Sequence, residues 1–409
     1  MIPENQLGII ELGNLNIKCL IFNIDNSNTV KILSSSKIQS EGIHNSVIIN
    51  ISKATKAIRS CIGIAEKKAE ASLKRIHVVL EQPEFLCTKF SKNKKINGSK
   101  IHKDDIEFLL KEAKKQVTLN DERQSIIHIF NHNYIVDGKS FIEEPIDVYA
   151  DSLSHEMTFI TAPKNNLKNI NQTFIECDIK VERFISTTFA LAVKLLNNNE
   201  LQSGSILINL GYEKVSLGLF KNLALIHSIT FPLGINHIMK DISKVCSLST
   251  EESKNIGKKI DFSFQNNQEL FTEDGYLRDI YFKQSSFRKI SKSLILDITK
   301  ARLDEIFEMI KKQINRTELK LILGAGVFIT GGGSNLSNFE KYCSNFFESK
   351  AKKIGSNNKN DTALNLDENF DSCLGALKII KDGWETEAIP RPAYKHGEKT
   401  SFFTKIFGN

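Results

Sequence analysis

The sequence predicts an α/β protein with a duplicated core, and two observations carry that reading. The first is the stretch Gly326 to Phe347, GVFITGGGSNLSNFEKYCSNFF, where the β-branched and aromatic run Val327-Phe328-Ile329-Thr330 leads straight into Gly331-Gly332-Gly333-Ser334. Ser337 with Glu340 three residues on has the form of a capping box, and Leu336, Phe339, Cys343 and Phe346 recur behind it at helical spacing. Strand, side-chain-free turn and helix start together are how α/β proteins hold a nucleotide; the same pattern also makes a tight connection with no ligand. The second observation is a repeat. Leu7 to Ile24 alternates around Gly13, and Gly204 to Ile226 alternates around Gly211. The two superimpose without a gap, Glu11-Leu12-Gly13 on Asn209-Leu210-Gly211, Ile17 on Val215, Cys19 on Leu217, Ile21 on Leu219 and Phe22 on Phe220. Two copies of one strand-turn-strand unit predict a duplicated α/β core.

The remaining elements follow in order. Ile51, Ala54, Ile58, Ile62 and Ala65 mark an amphipathic helix, and Arg75 to Leu80 is a strand. Glu84 to Thr161 changes character and reads as a compact inserted subdomain. Its one clear helix is Asp104 to Gln116, with strands at Ser125 to Phe130, Tyr134 to Asp137 and Met157 to Thr161. Helices at Leu167 to Cys177 and Thr187 to Leu196, around a strand at Lys180 to Ile185, close the first half. After the Gly211 hairpin comes a helix-rich segment from Ile235 to about Ile314, with a long helix at Ser286 to Lys312. Ser349 to Asn360 is polar and reads as a loop, and Leu374 to Ile380 as a last core helix. Beyond Trp384, ETEAIPRPAYKHGEK has two prolines, several charges and little to pack, the composition of a linker.

Bulk properties narrow the function. At 409 residues the chain is roughly two to four domains long. Its 41% hydrophobic and 25% charged residues are those of an ordinary globular protein. The start, MIPENQLGIIELG, has no basic head or cleavage site, which argues against a signal peptide. No apolar run approaches the length of a membrane span. The seven cysteines are far apart and form no C-x-x-C, so they read as reduced thiols of a cytosolic protein. The net charge of +7 is spread along the chain, without the interleaved aromatics of a single-strand platform. This argues against nucleic acid as a partner and suits an anionic surface such as a cytoplasmic leaflet. His128 and His132 are four apart, but no second pair or carboxylate cluster accompanies them, and they read as structural or surface histidines.

The last nine residues, Ser401 to Asn409, are SFFTKIFGN. On a helix Phe402, Phe403, Ile406 and Phe407 share one arc, with Thr404 and Lys405 off it, and Gly408 suits a helix stop. So short a helix does not hold alone in water. It needs a membrane interface, a partner groove or its own domain to fold against. Three phenylalanines with Lys395, Lys399 and Lys405 nearby favour the membrane.

Together these residues resemble FtsA, the family of bacterial actin-like cell-division proteins, over nearly the whole chain. The resemblance covers both hairpins, the insert line HIFNHNYIVDGKSFIEEPIDVYADSLSHEMTFITA, PLGINHIMKDIS, LSTEESKNIG, GVFITGGGSNL and the tail. It implies an actin-like fold, a duplicated ribonuclease-H-like core around a nucleotide cleft, with an inserted α+β subdomain and a C-terminal amphipathic helix. The implied first-half core is residues 7–82 with 163–200 and 362–384, and the insert is 83–162. The second-half core is 203–234 and 315–361, with a helix-rich subdomain at 235–314, a linker at 385–400 and a membrane-targeting helix at 401–409.

The resemblance also implies a function. The expected role is a membrane adaptor that ties FtsZ filaments to the cytoplasmic face of the inner membrane at the division site. It would bind the FtsZ C-terminal tail, polymerise with itself and recruit later division proteins. It places cofactor contacts at Glu11, Gly13, Asn14, Gly211, Lys214, Gly234, Gly331, Gly332, Gly333 and Ser334. Membrane contacts fall at Phe402, Phe403, Lys405, Ile406 and Phe407, and FtsZ contacts at Arg288, Arg302 and Glu305. Arg302 and Glu305 are three apart, so an intrahelical salt bridge is the alternative for that pair. The implied cofactor is ATP with magnesium, but the sequence departs from the family here. The aspartate expected before each hairpin glycine is Glu11 in the first copy and Asn209 in the second. The phosphate loop has Tyr212 and Glu213 in place of glycines, with Lys214 as the candidate to offset Glu213. Gly234 keeps one glycine of a pair, with Ile235 in the other's place. The expectation is nucleotide binding without hydrolysis. The other readings are an actin-like scaffold of pilus assembly and a small-molecule kinase of the same superfold. A kinase needs a carboxylate opposite the phosphates, and Asn209 speaks against it.

Overall fold

A computed structural model describes residues 6–25, 27–260, 269–282, 289–316, 324–335, 338–355 and 370–388. The first half opens with a hairpin of β1 (Gln6–Leu12) and β2 (Asn16–Ile24), in which Leu12 faces Ile17 and Glu11 faces Lys18. β3 (Val30–Gln39) continues the meander on the far side of β2. A small ribbon, β4 (Ile43–His44) with β5 (Val47–Ile48), leads into α1 (Ile51–Ala69). The Asn50 side chain accepts the Lys53 N–H at the start of α1, and Glu70 ends the helix in the left-handed region (φ 52°). Ala54, Ile58, Cys61, Ile62 and Ala65 are buried along one face, as their spacing requires. β6 (Arg75–Leu80) then pairs parallel with β1, and α1 is the crossover that a parallel pair needs.

The insert comprises β7 (Leu86–Lys100), α2 (Lys103–Asn120), β8 (Gln124–Val136), β9 (Lys139–Phe141) and β10 (Tyr149–Pro163). Its strands form one antiparallel sheet in the order β7-β10-β8-β9. Ile106, Leu109, Leu110 and Ala113 of α2 share a core with Ile129, Leu153 and Phe159 of the sheet. Two strands expected at Ser125 to Phe130 and Tyr134 to Asp137 are a single strand, β8. Against β10 its register slips by one residue at Ile127 and again at His132. The bulge at His132 falls between the two expected strands and breaks the alternation there, which makes one strand read as two. β7 went unread because, as an edge strand, it buries only Ile96 among its 15 residues.

The first half closes with α3 (Lys164–Ile175), β11 (Lys180–Ser186), α4 (Thr187–Leu195) and α5 (Asn198–Ser203). β11 pairs parallel with β6 and completes a five-stranded sheet, β11-β6-β1-β2-β3.

The second half repeats the plan. β12 (Ser205–Leu210), β13 (Val215–Lys221) and β14 (Ala224–Phe231) are followed by α6 (Ile235–Val245), α7 (Thr250–Gly257) and α8 (Lys292–Arg316). Then come β15 (Gly326–Thr330), α9 (Phe339–Phe347), β16 (Ala351–Lys353) and α10 (Asp371–Asp382). The second sheet runs β14-β13-β12-β15-β16. With β12 in the place of β1, this is the strand order of the first sheet. β12 is parallel to β15 as β1 is to β6, so the repeat seen in the two hairpins extends to five strands each.

Three further expectations need correction. The long helix starts at Lys292, six residues after the expected Ser286, which lies outside the described residues. The stretch after Ser349 contains β16, whose three residues join β15 through the backbone, a pairing that their polar side chains hide. Thr386 to Ala388, expected in a linker, pair with β8, and Glu387 is 3% exposed. By contacts the chain forms two compact units. One is Met1–Gly204, Gly218–Thr230 and Ser356–Asn409; the other is Ser205–Leu217 and Phe231–Gly355.

Candidate functional site

In the first unit the candidate residues lie in the turn between β1 and β2. A Cβ on Gly13 would stand 2.6 Å from the Asn16 carbonyl, so the turn closes only over a glycine. Glu11 at the end of β1 is not free: its Oε2 lies 2.7 Å from the Lys18 ammonium across the hairpin. Burial alone would lower the Lys18 pKa, but Glu11 outweighs it and holds the ammonium above its ordinary value. Asn14 is engaged as well. Its Nδ2 donates to Asn45 Oδ1 at 2.8 Å, and its Oδ1 accepts the Asn45 N–H at 2.6 Å.

The second unit holds the other turn, and its geometry matches the first. A Cβ on Gly211 would stand 2.7 Å from the Lys214 carbonyl, three residues on, just as Gly13 meets Asn16. Gly234 packs on this turn so closely that a Cβ would meet the Tyr212 carbonyl at 2.5 Å and the Lys214 nitrogen at 2.7 Å. The N–H groups at the start of α6 are already used: Ile235 donates to Gly211 O (3.1 Å), Asn236 to Tyr212 O (2.8 Å) and His237 to Gly234 O (2.9 Å). These are the donors with which a helix start binds an anion. Glu213 is drawn onto α6, with Oε1 2.6 Å from Asn236 Nδ2 and Oε2 3.3 Å from Lys240 Nζ. Asn236 and Lys240 thus join Lys214, the neighbour that the sequence offers, as cationic or donor groups close to Glu213 in the fold or the chain.

Gly331 to Ser334 lie in the same unit. Gly331 has φ 93°, and a Cβ there would stand 2.5 Å from Asn209 Oδ1. Gly333 is backed by Ile235 and Leu210, and the Ser334 hydroxyl donates to the Gly331 carbonyl at 2.7 Å. Gly332 alone has nothing within 4 Å of a Cβ and leaves its backbone open. The structure thus brings Gly211, Lys214, Gly234, Gly331 and Gly333 together around the end of β12. Most of these glycines serve backbone-to-backbone packing. The backbone is open beside Gly332; the N–H donors at the start of α6 and the turn carboxylates Glu11 and Glu213 are engaged within the protein. Among the described residues no cluster of three or more His, Cys, Asp or Glu side chains stands ready for a metal ion.

Of the expected partner residues, Arg302 on α8 bonds Asp241 of α6 through Nε at 2.6 Å and also contacts Glu305. The intrahelical pair is therefore present, and a second bond reaches another helix. Arg288, Ser337 and the tail residues Phe402, Phe403, Lys405, Ile406 and Phe407 lie outside the described residues. No described helix is long and apolar enough to cross a membrane. Sequence reasoning missed Lys18, Asn45, Asn236 and Lys240. Lys18 was legible, because a hairpin turning at Gly13 with Leu12 opposite Ile17 puts it opposite Glu11. The other three reach the turns through tertiary packing.

Residues 85–161 match the family model described as the SHS2 domain inserted in FTSA. The insert is of the FtsA type. The whole chain is 24% identical over 382 residues to the cell division protein FtsA of Buchnera aphidicola subsp. Schizaphis graminum, covering 91% of this chain and 90% of the relative. It is 22% identical over 410 residues to that of Borreliella burgdorferi, covering 99% and 98%. Among solved structures, a chain of a PilM-PilN type IV pilus biogenesis complex matches with a TM-score of 0.61 at 10% identity, over 91% of this chain and 98% of that one. MreB5 of Spiroplasma citri bound to ADP matches at 0.54 and 13%, over 93% and 98%. The fold is actin-like, and the chain resembles FtsA along nearly its whole length. Its FtsA homologues support a role in cell division.

Proposed function

We propose that this chain is an actin-like membrane adaptor of cell division. It anchors FtsZ filaments to the cytoplasmic face of the inner membrane and helps to recruit later division proteins. The observation that carries the proposal is the pairing, in one chain, of an FtsA-type insert with the terminal sequence SFFTKIFGN. Apolar burial of Phe402, Phe403, Ile406 and Phe407 at the headgroup boundary opposes the cost of ordering the segment, and one tail binds marginally. A polymer presents many tails, each raising the effective concentration of the next, so that assembly and membrane binding reinforce each other. The FtsZ tail docks on the α6–α8 region, with Arg288, Arg302 and Glu305 as contact residues. Nucleotide enters this reading as a ligand held beside Gly331 to Ser334, and hydrolysis has no part in it.

Liposome co-sedimentation tests the membrane arm. Phe403→Glu or Phe407→Glu should release the chain from anionic vesicles, and deletion of Ser401 to Asn409 should do the same. Binding that survives the deletion would sink the adaptor reading. For the FtsZ arm, Arg302→Glu should weaken binding of an FtsZ C-terminal peptide without unfolding the protein. Unchanged affinity would leave Arg302 a purely structural link between α6 and α8.

A further inference from the structure

We propose that the edge of β8 from Ile129 to Asn131 is a carboxylate-selective strand-addition site. The chain's own Thr386-Glu387-Ala388 occupies it, so that everything after Ala388 departs from the insert and not from α10. Helix α10 ends at Asp382, and within a few residues the backbone has joined a different sheet. Asn131 donates its N–H to the Thr386 carbonyl at 2.8 Å, and Ala388 donates to the Ile129 carbonyl at 2.9 Å. Phe130 faces Glu387 as an antiparallel bridge. On this edge of β8, β9 covers only Tyr134 to Val136. The added segment therefore satisfies backbone groups that would otherwise be an unpaired strand edge.

The side chains make the site selective. The Glu387 carboxylate sits between His128 Nδ1, 2.5 Å from its Oε1, and the Arg183 guanidinium. His128 is fully buried, and its Nε2 accepts the Ser186 N–H at 2.9 Å. That bond leaves the imidazole proton on Nδ1, where it is donated to Glu387. The pocket thus offers a guanidinium and one N–H donor to a buried anion, and a neutral side chain would leave Arg183 without its counter-charge. Two bonds fasten the approach: Trp384 Nε1–H donates to the Leu223 carbonyl at 2.6 Å, and the Thr386 hydroxyl donates to the same oxygen at 3.0 Å. Ala388, 0% exposed, then joins the hydrophobic core of the insert. All of these residues belong to one compact unit.

Hydrogen–deuterium exchange on the full chain tests the latch. In the wild type, peptides covering residues 384–388 and 129–131 should be protected as strongly as α10. Glu387→Gln keeps the shape and removes the charge, and it should speed exchange in both peptides together by about a hundredfold, while α1 and β12 keep their protection. Ala388→Pro keeps Glu387 and its two partners but removes the donor to Ile129 and crowds the core around Ala388, so it should expose the same two peptides even if the Gln variant folds poorly. Free exchange of residues 384–388 in the wild type would overturn the latch. So would protection that persists in both variants.

Discussion

Glu11 and Lys18 face each other across the first hairpin, with the ammonium 2.7 Å from the carboxylate and both side chains largely shielded, at 13% and 16% exposure. In the second copy the matching residue is Asn209, which carries no charge. Neither turn then offers a free carboxylate to a magnesium shell. ATP affinity, measured by direct titration, should be the same with magnesium and with a chelator, and phosphate release should not rise above a protein-free blank. Lys18→Ala frees Glu11 and should introduce a magnesium dependence. Tight, magnesium-dependent binding by the wild type would show that the pair opens when nucleotide arrives.

Gly331 and Gly332 separate packing from ligand contact. At Gly331 the positive φ and the nearby Asn209 side chain make any Cβ costly, so Gly331→Ala should destabilise the protein by about 1–3 kcal/mol. At Gly332 a Cβ meets nothing, so Gly332→Ala should leave the melting temperature unchanged. If a nucleoside lies against this backbone, Gly332→Ala should still weaken ATP binding. Thermal melts with and without ATP distinguish the two effects.

Gly375 lets α10 lie directly on α4. A Cβ at this position would fall 1.8 Å from the Ala190 carbonyl oxygen, a backbone atom that cannot swing aside. Gly375→Ala should therefore cost at least about 1–3 kcal/mol by overpacking, despite the better helix propensity of alanine. A denaturant midpoint equal to wild type would mean that the two helices part easily.

Acid should weaken the first unit. Burial lowers His77 and His155 to about 3 and His132 to about 4. Burial also lowers His128, in spite of Glu387 beside it. Each folded pKa lies below the unfolded one, so the unfolded chain binds more protons. The stability these histidines contribute is present above about pH 6.5 and is lost as pH falls below it. Burial would raise Glu387, but Arg183 and His128 hold it below the usual carboxylate value, so its contribution too is lost in acid. Glu144 runs the other way, raised to about 7 by burial, with a contribution that is lost as pH rises through that value. The expected result is a denaturation midpoint that falls between about pH 6.5 and 4. A flat profile there would mean that the histidines gain protons without unfolding.

By itself the sequence determined the local plan of this protein. Gly13 and Gly211 close equivalent turns, and Arg75 to Leu80 is a strand. Each follows from near neighbours, through alternation, helical spacing or turn geometry, and those signals survive in one dimension. The resemblance that ran through the insert was legible for the same reason. Only the tertiary structure decided which polar groups are still available. Glu11 is taken by Lys18, Glu213 by Asn236 and Lys240, Asn14 by Asn45, and Glu387 by His128 and Arg183. A polar side chain in a sequence looks like surface or site. Whether it is consumed depends on a partner that can stand 259 positions away, as His128 does from Glu387, because burial obliges a charge to find a partner wherever the fold supplies one.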